Sequence, residues 1–493
     1  MNSSNSTTDK TENLKDTKAL TFQWETMDWC KIENDVNRLQ SRIAKATENG
    51  ERNKAKRLQY LLTHSFSAKA YAVRKVTTNH GKSTSGVDKK LWSTSASKMK
   101  AVLQLTDRKY RTKPLRRVYI EKKNGRKKRP LGIPTMYDRA MQTLYALALE
   151  PIAETTADTI SFGFRKGRSA KDAGEQIFSV LARRCSPKWI VEGDIKGCFD
   201  NINHGWLLAN IPMDKRIMRQ FLKAGFIYQG NLFPTETGSP QGGAISSIYA
   251  NMTLDGLEKL IQDKYHRNSK GNIENHYRTK TKVNLVRYAD DFIITADTKE
   301  IAEELKLLVK EFLQSRGLEL SEEKTAITHI ENGFDFLGWT FRKFKGKLIV
   351  KPSKESIKRV VRKLSEVILK ESKASTQVDM IRRLNLIIRG WTNYHRHTVA
   401  SKAFSNVNNT LYLLLQRWAK HRHPNKNSWW RLNRYWHSAR NKPWLFSTDV
   451  NALINLRTIH IVRHPNLKIT KNPFLDPGYF NNRKSKIQRI NAA

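Results

Sequence analysis

The run Tyr288–Asp291, with the sequence Tyr-Ala-Asp-Asp, most constrains how this chain folds. The segments on either side, Val283–Arg287 and Phe292–Thr295, carry β-favouring residues at near-alternating positions. This pattern predicts a β-hairpin that places the carboxylates of Asp290 and Asp291 at its tip. Two adjacent carboxylates provide half of a site for two divalent metals, but Asp-Asp also caps ordinary solvated turns. Taken alone, the run fits both interpretations.

A third carboxylate follows a separate apolar segment. Residues 188–193 have the short, apolar character of a buried strand, and Asp194 stands at its end. Two metals held about 4 Å apart bind both the attacking and the leaving oxygen of an in-line phosphoryl displacement. Together, Asp194, Asp290 and Asp291 therefore predict the chemistry of a polymerase.

The charge balance predicts a nucleic-acid partner. The 493 residues contain 90 Lys and Arg against 45 Asp and Glu, a formal net charge of +45, and a protein this basic is expected to bind a polyanion. No stretch approaches the roughly 18 apolar residues of a membrane span, so no membrane partner is expected. The three cysteines, Cys30, Cys185 and Cys198, form no Cys-x-x-Cys pair, which argues against a disulfide framework or a zinc ribbon and favours a reducing compartment.

The chain divides into five predicted segments. Residues 1–21 are predicted to be a disordered polar tail, and residues 22–86 a basic helical extension. Residues 87–345 alternate short strands with helices, as in an α+β domain. Residues 346–425 are predicted to be all-helical because apolar stripes recur at helical spacing. Residues 426–493 mix tryptophans with arginines, a combination that suits base stacking and phosphate pairing but equally suits a small aromatic core.

Two further segments have the composition of a nucleotide site. Residues 116–134 predict two strands around an Asn-Gly turn rich in cations, which include Lys122 and Arg129. Such a hairpin suits a triphosphate or a template strand, although a plain solvated hairpin has the same pattern. Residues 238–243, which include Gln241, open a predicted helix whose free N–H groups suit phosphate, and they also fit a simple turn.

In their order along the chain, these segments resemble the reverse transcriptases encoded by group II introns, the maturase family, from about Trp24 to Phe446. The motifs that carry the resemblance are Arg129–Pro134, Ser161–Arg165, Asp194–Asp200, Pro240–Gly243, Tyr288–Asp291, Lys324, Phe336–Trp339 and Ile388–Tyr394. The resemblance implies an α+β right-hand polymerase with fingers and palm, a helical N-terminal extension, an α-helical thumb and a C-terminal DNA-binding region.

The resemblance also implies roles for individual residues. Two Mg²⁺ ions, which suit oxygen ligands, would be bound by Asp194, Ile195, Asp290 and Asp291. Lys324 would donate a proton to pyrophosphate, and Phe199 would select deoxynucleotides by contact at the sugar 2′ position. The residues implied to line the nucleotide site are Phe199, Gln241, Lys122, Arg129, Ile195 and Tyr288. Those implied to form the primer grip are Leu337, Gly338 and Trp339.

The function implied is an RNA-directed DNA polymerase that binds its own group II intron RNA, assists splicing and carries out target-primed reverse transcription. Its partners would be the intron RNA, an RNA template, a DNA primer or target and deoxynucleoside triphosphates. One alternative is a non-catalytic RNA-binding splicing factor with the palm as scaffold, but three close carboxylates repel one another without metal. Another is a retron-like, domesticated or defence-associated polymerase, against which the thumb run Arg389–Trp391 favours the intron branch.

The sequence departs from some relatives. It has no cysteine after Cys198, so the paired-cysteine HNH nuclease of many relatives, and second-strand cleavage with it, is not expected. Phe162 and Ser247 stand where relatives often carry Tyr and Pro. The expected location is the bacterial cytoplasm, acting at the nucleoid, with an organellar origin left open. The oligomeric state, the cognate RNA and the DNA target do not follow from the sequence.

Overall fold

The N-terminal extension is a helical layer. The computed structural model describes residues 16–121, 128–240, 242–268, 270–273, 279–372, 375–439 and 442–492. Residues 16–25 are helical, followed by α1 (Trp29–Glu48), α2 (Arg52–His64), α3 (Phe66–Thr78) and α4 (Ser95–Gln104). Residues 16–21 thus belong to a helix, and the boundary at residue 21 placed the end of the polar tail too late.

Helix α1 shows how local sequence sets these boundaries. The Asp28 side chain accepts a hydrogen bond from the backbone N–H of Lys31 and caps the N-terminus. Gly50, at φ +74°, follows the last turn. Ile32, Val36 and Ile43 are buried on one face, which joins the core of the following domain. The extension therefore packs as part of the main body.

The fingers and palm alternate strands and helices. In order these are β1 (Leu115–Glu121), β2 (Lys128–Ile133), α5 (Met136–Thr156), α6 (Ala170–Leu181), β3 (Trp189–Gly193), α7 (Cys198–Asn201), α8 (His204–Asn210), α9 (Lys215–Leu222), β4 (Phe226–Tyr228), β5 (Asn231–Phe233), α10 (Ser246–Leu254), α11 (Leu257–Tyr265), β6 (Asn284–Tyr288), β7 (Asp291–Ala296), α12 (Lys299–Gln314) and β8 (Ala326–His329). The predicted α+β class is confirmed.

Two sheets organise this region. The first has the order β2-β1-β4-β5, and the second, which we call the palm sheet, has the order β6-β7-β3-β8. All neighbours in the palm sheet are antiparallel. Its two central strands, β3 and β7, carry the apolar runs Ile190–Val191 and Phe292–Ile294, which are buried, and α12 packs against both strands. Because these runs are buried, the positions of the ends of β3 and β7 are fixed.

A third sheet connects palm and thumb. It consists of β9 (Phe334–Phe336), β10 (Trp339–Phe344) and β11 (Lys347–Pro352) in the order β11-β10-β9. The expectation that residues from 346 onward are all helical was wrong for β11. Lys345 and Gly346 both adopt positive φ, 46° and 76°, and this two-residue turn pairs Lys347 with Phe344.

The thumb and the C-terminal residues follow. The helices are α13 (Lys354–Glu366), a π-helical turn (Val367–Glu371), α14 (Gln377–His395), α15 (Ser401–Arg422) and α16 (Ser428–Tyr435). The remaining elements are β12 (Trp436–Ala439), β13 (Lys442–Phe446), a 3-10 turn (Leu456–Thr458) and α17 (Pro477–Ala492). A second hydrophobic core runs from Val360 to Leu456. Across the described residues, no helix combines the length and apolar character needed to cross a bilayer.

The last described residues pack back onto the palm. The His464 Nε2 atom lies 2.9 Å from Asp172 Oδ1 at the start of α6, and Arg483 pairs with the same carboxylate. Arg396 of the thumb donates to the backbone carbonyl of Ile490 at 2.9 Å. Phe474 is buried. The C-terminal residues therefore connect palm and thumb.

We expect Gly193→Ala to destabilise the palm sheet. A Cβ at Gly193 would overlap the buried ring of Phe292 on β7, and overpacking of this kind costs about 1–3 kcal/mol. The matched control is Gly390→Ala on α14, where a Cβ meets nothing within 4 Å and alanine improves an exposed helix by roughly 0.5–1 kcal/mol. Thermal unfolding should show a lower midpoint for Gly193→Ala and an equal or higher one for Gly390→Ala; equal midpoints for Gly193→Ala and wild type would contradict the packing.

Candidate active site

Asp290 and Asp291 lie at the turn between β6 and β7. Tyr288 pairs directly with Asp291, which leaves Ala289 and Asp290 as a two-residue turn. Ala289 has φ +58°, the left-handed conformation that residues other than glycine adopt rarely. The hairpin predicted from the sequence is present, and its tip carries both carboxylates.

Asp194 reaches the same edge of the palm sheet. Strand β3 pairs with β7 so that Gly193 is opposite Phe292, and Asp194 and Asp291 are the next residues beyond that pair. Asp194 interacts electrostatically with both Asp290 and Asp291. The structure therefore brings Asp194 to the same edge as Asp290 and Asp291, which follow it by almost a hundred residues in the sequence.

Lys324 binds directly to Asp194. Its Nζ atom lies 2.8 Å from Asp194 Oδ2, and the backbone N–H of Ser321 donates to the Asp194 carbonyl at 2.8 Å. The hydrogen bond that Lys324 donates to the Asp194 carboxylate raises the pKa of Lys324. Because the Lys324 side chain is largely exposed, it can exchange this partner for another anion.

The carboxylates at this edge are held at an electrostatic cost. Burial, with the Asp194 charge adding to it, raises the pKa of Asp290, while Arg129 and Lys324 oppose the shift. Asp291 is exposed at the start of β7, yet desolvation followed by repulsion from Asp290 and Asp194 raises its pKa to about 6. Like charges forced together favour a protonated carboxyl or a bound cation.

This donor set fits a divalent cation. Carboxylate oxygens are the ligands that Mg²⁺ prefers, and a cation would relieve the repulsion that raises the pKa values of Asp290 and Asp291. Within the described part of the chain, no three His, Cys, Asp or Glu side chains are already gathered into a metal-binding geometry. Metal binding would require Asp194 to share or release Lys324.

The residues predicted to line the nucleotide site differ in their exposure and in the elements that carry them. Phe199 lies in α7, half-buried, with its ring 6.2 Å from that of Phe164 in an edge-on arrangement. The Ile195 side chain is buried, so only its backbone could supply a metal ligand. Arg129 is exposed on β2, and its positive charge lowers the pKa of Asp290. Tyr288 is half-buried at the end of β6.

Two predicted residues, Lys122 and Gln241, lie outside the described residues. Their neighbours do constrain the surroundings. The backbone N–H of Ser239 donates to the Phe199 carbonyl at 2.6 Å, and a Cβ at Gly238 would overlap the backbone of Asp200. The segment that leads to Gln241 is therefore packed directly against the α7 residues beside Asp194.

The three residues predicted to form the primer grip lie at the turn between β9 and β10. Leu337 and Gly338 form the turn between β9 and β10 with φ 50° and 84°. Trp339 is fully buried, with its ring stacked on that of Tyr394 at 4.7 Å. The Trp339 side chain belongs to the core, whereas Leu337 and Gly338 are partly exposed at the turn.

Sequence reasoning missed a buried polar network beneath the catalytic turn. Arg287 is fully buried and pairs with Asp255, and burial raises the pKa of Asp255 to about 7. Arg287 also reaches the Asn251 side chain at 3.4 Å, and Asn251 donates to the Gly163 carbonyl at 2.8 Å. The sequence does contain a signal for this network, because a charged residue such as Arg287 within a largely apolar strand requires a buried partner.

Gly163 packs directly against the backbone of the turn at Ala289. The backbone of residues 160–162 pairs with Arg287: Phe162 N–H donates to the Arg287 carbonyl at 2.9 Å and Arg287 N–H donates to the Ile160 carbonyl at 3.1 Å. A Cβ at Gly163 would overlap the backbone N of Ala289. Only glycine allows this close approach.

Three protein-family models match the chain. They are the N-terminal domain of reverse transcriptase over residues 24–105, reverse transcriptase (RNA-dependent DNA polymerase) over residues 120–341, and the group II intron maturase-specific domain over residues 357–436. Protein YkfC of Escherichia coli (strain K12) is 32% identical over 300 residues, 55% of this chain and 78% of that protein. This chain belongs to the family of group II intron-encoded reverse transcriptases and maturases.

Other members of the family are longer. Group II intron-encoded protein LtrA of Lactococcus lactis subsp. cremoris is 36% identical over 343 residues, 58% of this chain and 56% of that protein. An uncharacterized 91 kDa protein in the cob intron of Schizosaccharomyces pombe is 31% identical over 282 residues, 47% of this chain and 34% of that protein. The chain thus spans little more than half the length of LtrA.

The raised pKa of Asp291 predicts a pH-dependent response to Mg²⁺. At pH 7 to 8, above the pKa of about 6 of Asp291, we expect added Mg²⁺ to raise the thermal unfolding midpoint because binding to the native state stabilises it. As the pH falls through about 6, protonation of Asp291 competes with the metal and the gain should shrink. Unfolding midpoints with and without MgCl₂ between pH 5 and 8 measure this.

Asp291→Asn is the control for that experiment. A carboxyl whose folded pKa is raised contributes stability that is present below its unfolded pKa and lost as the pH rises through its folded pKa. Without Mg²⁺, Asp291→Asn should therefore raise the midpoint at pH 8 and change it little at pH 4. With Mg²⁺, it should remove most of the gain. An undiminished Mg²⁺ effect in the variant would exclude Asp291 as a ligand.

Proposed function

We propose that this chain is an RNA-directed DNA polymerase that binds its own group II intron RNA, assists splicing and carries out target-primed reverse transcription. The observation that carries the proposal is the convergence of Asp194, Asp290 and Asp291 at one edge of the palm sheet beside Lys324. Family membership supports the same activity. The substrates proposed are an RNA template, a DNA primer or nicked DNA target and deoxynucleoside triphosphates.

The residues at the sheet edge divide the chemistry between them. Two bound Mg²⁺ ions would activate the primer 3′-hydroxyl and neutralise the leaving pyrophosphate, with Asp194, Asp290, Asp291 and the backbone of Ile195 as their ligands. The chain itself holds these carboxylates at fixed strand ends. Lys324, exposed and already protonated beside Asp194, is the proposed proton donor to pyrophosphate.

The nucleotide would lie between the palm edge and the fingers. The charge of Arg129, on β2 of the fingers, lowers the pKa of Asp290. This position suits binding of the triphosphate, and Lys122 is proposed to bind the triphosphate as well. The Phe199 ring, packed edge-on against Phe164, would exclude a 2′-hydroxyl by steric contact. Gln241 and Tyr288 are proposed to complete the nucleotide surface.

Intron RNA binding is proposed to rest on the basic surfaces of the extension, fingers and thumb. The formal charge of +45 far exceeds what a soluble fold requires. Helix α13 exposes Lys354, Lys358, Arg362 and Lys363 while burying Val360 and Leu364, so one face is cationic and the other is core. We place this activity in the bacterial cytoplasm, at the nucleoid.

Asp290→Asn should abolish polymerisation and leave RNA binding intact. The isosteric change removes one metal-binding charge, and loss of several kcal/mol of charge stabilisation corresponds to a fall on the order of a thousandfold in rate. Primer extension on an RNA template measures the rate, and filter binding measures intron RNA affinity. Asp449→Asn, at an exposed aspartate of the C-terminal region, is the matched control. Extension by Asp290→Asn at the native rate would refute the site.

Intron RNA affinity should fall steeply with salt. Each neutralised phosphate contributes about 0.7–0.9 to the slope of log affinity against log salt. Arg362→Gln/Lys363→Gln on α13 should lower that slope by about one to two if this face contacts RNA phosphates. Affinities measured from 50 to 400 mM KCl test the proposal. A flat salt response for the wild-type protein would exclude phosphate-driven binding.

A further inference from the structure

The turn Leu337–Gly338 has a backbone that its own sequence does not favour. Both residues lie at positive φ, 50° and 84°, and the strand residues Phe336 and Trp339 pair across them. Two-residue turns of this kind favour Asn or Gly at the first position. Leucine is disfavoured there because its Cβ crowds the backbone carbonyl. Contacts from outside the hairpin must therefore hold the turn.

Those contacts come from the thumb. The Tyr394 hydroxyl donates a hydrogen bond to the Leu337 carbonyl at 2.8 Å. The backbone N–H of Ser353, the N-cap residue of α13, donates to the Gly338 carbonyl at 3.0 Å. Each carbonyl of the turn thus has a donor on a different thumb element. The hairpin does not supply either donor itself.

The Tyr394 ring is also fixed in place. It stacks on the buried ring of Trp339, with centroids 4.7 Å apart and an interplanar angle of 6°. Lys171 of the palm donates to the carbonyl of the neighbouring Asn393 at 2.6 Å. The adjacent His395 lies against Ser356 at 2.9 Å, between its Nε2 and the serine Oγ. Tyr394 therefore holds one orientation at the junction of palm and thumb.

Tyr394 lies close to the catalytic hairpin as well. Burial raises the pKa of Tyr394, and the nearby Tyr288 contributes to the shift. Tyr288 pairs with Asp291 across the catalytic turn. One thumb side chain thus connects the Leu337–Gly338 turn to the edge of the sheet that carries the aspartates.

We propose that Tyr394 is a positioning residue, whose hydroxyl holds the Leu337–Gly338 turn in the conformation that binds the primer strand. This inference rests on the proposed polymerase function. Its consequence is that the thumb takes part in primer placement through the hydrogen bond from Tyr394 to this turn, in addition to any contact that it makes with nucleic acid.

Tyr394→Phe tests the role of the hydroxyl because it keeps the ring stack on Trp339. We expect the dissociation constant for a primer–template duplex to rise about fivefold, the effect of one lost hydrogen bond, and the KM for deoxynucleotide to stay within twofold of wild type. Fluorescence anisotropy with a labelled RNA–DNA duplex gives the first value, and single-nucleotide extension gives the second. Tyr412→Phe, whose ring packs against Trp436 on another face of the thumb, is the matched control and should match wild type.

A double-mutant cycle separates positioning from general packing. Asparagine tolerates positive φ, so Leu337→Asn should form the turn without help from Tyr394. In that background, Tyr394→Phe should change duplex affinity by less than about 1.5-fold, whereas independent effects would multiply. An unchanged affinity for Tyr394→Phe, or the same loss in both backgrounds, overturns the inference.

The binding measurement also distinguishes this inference from the proposed function. Duplex affinity does not require catalysis. If the wild-type protein binds the duplex but does not extend the primer, the proposed function fails, while the ratio of affinities for Tyr394→Phe and wild type still decides the role of Tyr394. If the wild-type protein does not bind the duplex at all, both fail.

Discussion

The antiparallel register of β3 against β7 is the constraint on which the site depends. Pairing Gly193 with Phe292 places Asp194 and Asp291 at the next position along neighbouring strands. A slip of one residue would turn the side chains of one strand to the opposite face of the sheet. The buried runs Ile190–Val191 and Phe292–Ile294 oppose such a slip because it would expose apolar side chains. Core packing thus sets the geometry of the carboxylates.

The same packing holds charges in unfavourable positions. Desolvation and mutual repulsion raise the pKa values of Asp290 and Asp291, so this fold disfavours their ionised forms and a bound cation would stabilise them. Arg287 and Asp255 beneath the turn, and Gly163 against its back, hold Ala289 in its rare conformation. Such unfavourable local conformations persist where the surrounding structure over-determines them, and they are common at functional sites.

Local pattern predicted much of the structure. The hairpin at Tyr288–Asp291, the strand before Asp194 and the amphipathic thumb helices all follow from periodicities that single segments carry. The strand β11 was missed because its apolar run is short and its pairing depends on a turn at Lys345–Gly346. Trp339 was predicted to belong to the primer grip because its turn resembles that of the family, whereas the burial of its side chain depends on α6 and α14, which are distant in sequence.

The sequence by itself determined the amphipathic helices and the strands that carry the three aspartates, because each is set by residues near one another in the chain, and its composition fixed the strong positive charge. Only the tertiary structure decided which side chains meet. The ion pair of Lys324 with Asp194, the ion pair of Arg287 with Asp255 and the hydrogen bond from Tyr394 to Leu337 each join separate elements. Strand register and helix packing, which are cooperative properties of the whole core, bring these atoms within reach of one another.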